Sequence, residues 1–170
     1  PFPDWYQQLN RNLGRLAQHS NGVLSRLRPS LLEDHPLPGP PGRGAMLLRL
    51  GEGPDAVVVV MMHLALGART RTRQLAYIRE LIGDYRHQVL MGDMNTHAED
   101  LLQHSPLKGA DLQAPDLPGT YPSWKPARVL DHILVSPSLS VEQVDVLPHA
   151  ISDHPPVAMH IKLPSPLCKG

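Results

Sequence analysis

The stretch AMLLRLGEGPDAVVVVMMHLALGARTRTRQLAYIRELIGDYRHQVLMGDMN, residues 45–95, decides the fold class. Ala45 to Leu50 is strand-like, Gly51-Glu52-Gly53-Pro54-Asp55 makes a turn, and Ala56 to His63 returns as a Val-rich strand that reads as buried on both faces. Arg71 to Tyr85 then carries Leu75, Ile78, Leu81 and Ile82 at helical spacing, with Gly83 near its end. His87 to Gly92 is a further short apolar strand. The order is therefore β-β-α-β.

Downstream, Leu101 and Leu102 suit a brief helix, and Ser105 to Arg128 is long, Pro-rich and irregular, as functional loops often are. Val129 to Val135, Ser140 to Leu147 and Pro156 to Leu163 close the chain as strands without intervening helices. That ending favours a mixed-sheet α/β sandwich over a Rossmann fold. Upstream, Asp4 can cap a helix carrying Leu9, Leu13, Leu16 and Ala17, which Asn21-Gly22 breaks; Trp5 and Tyr6 read as packing residues. Gly22 to Arg26 reads as a short strand, and Asp34 to Gly44 as a stiff Pro/Gly connector.

A length of 170 residues with 41% hydrophobic and 19% charged residues suits one globular domain, here drawn as 1–164 with a 165–170 tail. Sixteen Lys plus Arg balance sixteen Asp plus Glu, so the basic surplus usual in a nucleic-acid binder is absent. Lone Cys168 rules out an internal disulfide framework and any Cys-rich zinc site, and fits a reducing, cytoplasmic setting. No apolar run has transmembrane length and no signal peptide is visible. Pro1 replaces an initiator Met, which suggests a cut chain.

Four clusters lie at ends or edges of predicted strands: Met62-His63-Leu64, Met91-Gly92-Asp93-Met94-Asn95, Leu130-Asp131-His132-Ile133-Leu134-Val135 and Ile151-Ser152-Asp153-His154-Pro155. Phosphoester hydrolysis needs a cation to offset phosphate charge, a base for water and support for the leaving oxygen. A carboxylate such as Asp153 suits Mg²⁺ or Mn²⁺. An Asp-paired His has a defined tautomer and raised basicity, and an Asn binds phosphate without added charge. Taken singly, Asp93 and Asn95 could merely end a strand in a turn, and Asp131 could be a structural acid. His132 reads as a satisfied strand residue. His35, His87, His97, His104, His149 and His160 lack metal-ligand spacing and read as surface or locally bonded. Arg69, Arg71 and Arg73 read as a solvated face, and Tyr121 and Trp124 as rings able to stack on a substrate.

Together the clusters resemble the endonuclease/exonuclease/phosphatase family, in its deoxyribonuclease-like form. Gly92-Asp93-Met94-Asn95 is similar to its Gly-Asp-x-Asn, Ser152-Asp153-His154 to its closing Ser-Asp-His, and Asp131-His132-Ile133 to its Asp-[His/Tyr]-Ile strand. His63-Leu64 with Arg73-Gln74-Leu75, and Gly22-Val23-Leu24-Ser25-Arg26, resemble two further segments in the same order. The resemblance implies a four-layer α/β/β/α sandwich of two mixed, mainly antiparallel sheets flanked by helices, here without its N-terminal strands. It implies a Mg²⁺-dependent (Mn²⁺ possible) phosphoesterase, nuclease or phosphatase. Its substrate would be a small phosphorylated molecule, a phospholipid head group or nucleic acid.

By the same resemblance, Asp93 would position or deprotonate the attacking water with Asn95 beside it. His154, held by Asp131, would contact the phosphate or transfer a proton. His63 would be a second phosphate-contacting or proton-donating group, and Asp153 would assist the metal. The family's principal metal ligand, a Glu closing a Leu-Gln-Glu strand, has no counterpart; Glu33 and Glu52 lie in other contexts, and the Glu is expected upstream of Pro1. The competing expectation is a truncated or degenerate relative that binds without catalysing.

Overall fold

The computed structural model describes residues 2–12, 18–149 and 152–163. Along β5 (Val57–His63) successive side chains go to opposite faces, so Val58, Val60 and Met62 enter one apolar cluster while Val57 and Val59 enter another. The same alternation sorts β6 (His87–Asp93), with Leu90 on one side and Val89 and Met91 on the other. It sorts β7 (Asp131–Val135) into Leu134 against Ile133 and Val135. This is why the Val-rich run reads as apolar throughout: both faces of the sheet are covered.

These strands join β3 (Leu31–Pro36) and β4 (Gly44–Leu50) in a five-stranded mixed sheet of order β3-β4-β5-β6-β7. Only the β5–β6 pair is parallel. Parallel neighbours need a crossover, which α1 (Ala68–Ile82) supplies. Its Leu75, Ile78 and Ile82 are buried with Leu101 of α2 (Ala98–Gln103) and with Leu107 and Leu112 from the irregular 105–128 segment. Among the described residues, both helices therefore share one face of the sheet. The opposite face packs against Val157, Met159 and Ile161 of β9 (Val157–Lys162), which pairs antiparallel with β8 (Ser140–Val146). The result is an α/β fold rich in mixed and antiparallel sheet, as the order of elements suggested. None of the described helices is long and apolar enough to cross a membrane.

The N-terminal reading needs correction. Asp4–Asn12 is a strand, β1, antiparallel to β2 (Gln18–Ser25) with Gln7 opposite Gly22, so Asn21-Gly22 lies inside the pairing and ends no helix. Leu13, Leu16 and Ala17 lie outside the described residues. Helical spacing of leucines signals a helix only if those leucines are buried together, and Leu9 is half exposed. What is buried instead is Gln8, whose Nε2 donates to the Ala45 carbonyl at 3.0 Å. Asn21 Nδ2 donates to Gln8 Oε1 and to the Gly44 carbonyl, each at 3.0 Å. Polar side chains thus tie the hairpin to β4, and tertiary bonding overrides local period. Trp5, expected in packing, is 66% exposed.

The Pro/Gly connector is also shorter than expected. β3 continues to Pro36, which faces Gly44 across the pair. Proline is tolerated there because β3 is a sheet edge, where no neighbour needs its missing N–H. Leu37 to Arg43 forms the remaining loop, closed by Leu37 N–H donating to the Arg43 carbonyl at 3.1 Å. The tail at 165–170, with Cys168, lies outside the described residues.

Candidate active site

Sheet register brings the chemistry together. In the β5–β6 pair His63 lies beside Asp93, and in the β6–β7 pair Asp93 lies beside Asp131. Registered neighbours on adjacent strands share a face, so three of the expected residues project from one end of the sheet. His63 Nε2 is 3.2 Å from Asp93 Oδ2. His154, from the loop before β9, brings its Nδ1 to 2.6 Å from Asp131 Oδ2. Two acid–histidine pairs thus stand side by side, and His63, Asp93 and His154 border a cavity of about 320 Å³ that Asn95 and Asp153 also line, with Asp131 behind His154.

Tight backbone contacts set these positions. Gly92, immediately before Asp93, has φ 131°, and a Cβ there would run into the Met62 carbonyl of the neighbouring strand. Asn95 has φ 51°, a conformation asparagine tolerates better than most residues. Its N–H donates to Asp93 Oδ1 at 3.0 Å and its Nδ2 donates to the Leu64 carbonyl at 2.9 Å. Part of the Asn95 amide is therefore structural, leaving Oδ1 and a second N–H for other partners.

Electrostatics separate the two pairs. Burial works to raise the Asp93 pKa, yet the hydrogen bond and charge of His63, the Asn95 amide and the charge of His154 outweigh it and hold Asp93 below its ordinary value. Asp93 is thus a carboxylate well into acid. For His154, burial works to lower the pKa, but the hydrogen bond and charge of Asp131, with Asp93 and Asp153, raise it overall. The imidazolium form of His154 is favoured. Asp131→Asn removes the main source of that stabilisation, so the His154 imidazole is expected to titrate at lower pH in the variant than in the parent, followed by its NMR ring-proton shift. An unchanged midpoint would dissolve the assigned pair.

The remaining expectations sort as follows. His132 is buried with Nε2 2.8 Å from the Thr96 carbonyl, and burial lowers its pKa, so it is a neutral structural residue as read from the sequence. His35 and His87 likewise hydrogen-bond locally, to Tyr77 at 2.8 Å and Ser138 at 2.9 Å. Arg71 is not merely solvated: it donates to the carbonyls of Ala65 and Leu66 and secures the turn after β5. Buried Gln74 supports the same turn, accepting from Ala65 N–H at 2.8 Å and donating to the Pro38 carbonyl at 3.1 Å. Tyr121 lines the cavity with its ring centroid 4.9 Å from that of His154, whereas Trp124 is 73% exposed and does not line it.

Arg43 and Arg128 line the cavity as well and carry no motif that would have singled them out. Each sits in an irregular segment, and only the folded chain brings them to the site. For a divalent cation the donor set is partial. Asp93 and Asp131 are engaged by histidines, leaving Asp153 as the cavity carboxylate without a histidine partner. No group of three or more His, Cys, Asp or Glu converges as ligands among the described residues. Glu33 pairs with His35 and Glu52 is exposed in its turn, and neither lines the cavity. Asp153 would therefore supply one hard oxygen, with water and substrate phosphate oxygens as the other donors Mg²⁺ commonly takes.

Comparison with known proteins covers nearly the whole chain. The sequence model of the Endonuclease/Exonuclease/phosphatase family matches residues 2–154. No curated protein matches in sequence. Among solved structures, a functionally unknown conserved protein from Enterococcus faecalis is similar with TM-score 0.72 and 18% identity, over 95% of this chain and 77% of that one. A mannosyl-6-phosphatase of Bacteroides thetaiotaomicron gives TM-score 0.67 and 18% identity, over 95% and 78%. The human Nocturnin catalytic domain, solved with a bound sulfate anion, gives 0.68 and 14%, over 94% and 72%. At these identities the likeness is one of fold.

Proposed function

Because the chain belongs to the Endonuclease/Exonuclease/phosphatase family, we propose that it hydrolyses phosphoester bonds in the cavity between β5, β6, β7 and the 152–154 loop. The observation that carries the reading is the pair of acid–histidine contacts, His63–Asp93 and Asp131–His154, of which His63, Asp93 and His154 line one cavity. A phosphatase and a nuclease chemistry both fit it, and the mannosyl-6-phosphatase of similar fold illustrates the first.

The division of labour follows from the pKa directions. Asp93, held ionised, is a weak base but a good hydrogen-bond acceptor, so it orients the attacking water and takes up its proton late, once the oxygen has begun to bond to phosphorus. His154, biased to imidazolium, contacts the phosphate and gives its proton to the leaving oxygen as the P–O bond breaks. The water oxygen meanwhile bonds to phosphorus. Asp131 holds the His154 ring and tautomer, and Asn95 and His63 offer hydrogen bonds to the remaining phosphate oxygens. Asp153 is the hard-oxygen donor of this chain for Mg²⁺ or Mn²⁺, whose charge would offset that of the phosphate. The described residues do not complete that ion's coordination.

The test is product release from bis-p-nitrophenyl phosphate, plasmid DNA and a panel of phosphomonoesters, with Mg²⁺, with Mn²⁺ and with EDTA. Hydrolysis of at least one substrate is expected with a divalent ion, lost on chelation and restored when the ion is returned. A full-length protein inactive on all of them with either ion would overturn the enzyme reading in favour of a non-catalytic binding module.

A further inference from the structure

Among the described residues, two arginines border the cavity against one carboxylate, Asp153, that has no histidine partner. Both histidines are matched by an acid, at 3.2 Å for His63–Asp93 and 2.6 Å for Asp131–His154. Arg43 and Arg128 line the same cavity and enter no ion pair among the described residues. Arg43 comes from the loop between β3 and β4, and Arg128 from the segment before β7.

Arg128 is held in place rather than left to wander. Thr120 and Tyr121 N–H groups donate to its carbonyl at 2.7 and 3.0 Å, and its own N–H donates to the Tyr121 carbonyl at 3.0 Å. Its guanidinium lies over the Tyr121 ring, 5.2 Å from the centroid, and that ring packs in turn on His154. The 120–128 segment is also anchored to the catalytic loop: Ser123 N–H donates to the Asp153 carbonyl at 2.8 Å and its Oγ to the Ser152 carbonyl at 2.6 Å. Thr120 Oγ1 accepts from the N–H groups of Leu130 and Asp131. A planar five-donor cation, one side chain removed from His154 and resting on the Tyr121 ring, is placed to receive an anion at reduced ordering cost.

We propose that Arg128, with Arg43, is a specificity determinant that binds a second anionic group of the substrate. The preferred substrate is then a small phosphoester bearing another phosphate close to the scissile one. The proposal rests on the phosphoesterase reading and deepens it. Balanced overall charge, sixteen basic against sixteen acidic residues, favours such a molecule over a long polyanion.

The test compares matched substrates differing only in the second phosphate. One pair is thymidine 5′-(p-nitrophenyl phosphate) with and without a 3′-phosphate; the other is fructose 1,6-bisphosphate and fructose 6-phosphate. For the parent protein with Mg²⁺, kcat/KM is expected to favour the bis-anionic member of at least one pair by about tenfold or more, the scale of one charge-assisted hydrogen bond. The difference should lie chiefly in KM and weaken with added salt. Arg128→Ala and Arg43→Ala should each shrink the ratio, the double variant should bring it near one, and Arg128→Lys should retain part of it. Arg69→Ala, on the exposed face of α1, should leave the ratio unchanged. Hydrolysis without a preference, or a preference that survives both Arg→Ala changes, overturns this inference alone. No hydrolysis of any of the four by a protein that does cleave bis-p-nitrophenyl phosphate, plasmid DNA or another phosphomonoester overturns this inference alone; inactivity on all of these as well overturns the phosphoesterase reading and the inference with it. Faster cleavage of DNA oligonucleotides than of either bisphosphate would overturn the small-molecule assignment.

Discussion

Replacing His154 by alanine is expected to lower kcat/KM by about 10²–10⁴-fold, the usual share of a general acid or base. The argument is geometric first. His154 lines the cavity, its Nδ1 is engaged by Asp131 at 2.6 Å, and the free Nε2 is the nitrogen available to substrate. Asp131 and the neighbouring acids raise the His154 pKa, so the loss should grow as the pH falls and the imidazolium becomes populated. Asp131→Asn should cost less, because the ring remains and only its orientation and charge bias are weakened. The ring is partly exposed and packs on Tyr121, so truncation should leave folding intact, checked by circular dichroism. A His154→Ala protein within threefold of the parent's rate would remove His154 from the chemistry.

The second large effect is structural. Gly92→Ala places a Cβ against the Met62 carbonyl at a φ of 131°, which L side chains rarely adopt. Conformational strain and overpacking each cost about 1–3 kcal/mol in such positions, so a loss of roughly 2–5 kcal/mol is expected by urea unfolding. The backbone atoms that must separate are those of β5 and β6 directly before His63 and Asp93. Activity should therefore fall further than the folded fraction alone explains. A variant as stable as its parent would show that the strands can part without consequence, and the tight approach would lose its role in aligning the pair.

Much of this was legible without coordinates. Strands β4 to β9 and helix α1 follow from the sequence within a few residues, and in β4 to β7 and α1 the apolar side chains are buried by the pattern they display. Val57–His63 shows it best: Val58, Val60 and Met62 belong to one apolar cluster and Val57 and Val59 to the other, so local sequence and tertiary burial agree. The opposite holds at Asp4–Asn12. There the leucine spacing favoured a helix, while the fold is held by Gln8 and Asn21 bonding to β4, and no local pattern encodes a partner 37 residues away. Pro36 in β3 was hidden for the same reason, since an edge position is a property of the sheet.

The acid–histidine set belongs to both accounts. The identities of His63, Asp93, Asn95, Asp131, Asp153 and His154, and their places at strand ends, were set by the sequence, because motifs there are short and contiguous. That His63 pairs with Asp93 was decided by the tertiary structure alone, through the register of β5 and β6, whereas the His154–Asp131 pair was implied by the resemblance and is made by the return of the 152–154 loop to β7. Arg43 and Arg128 lie wholly on that second side. They come from irregular segments with no periodicity to read, and only packing sets the direction and partners of a side chain in such a segment.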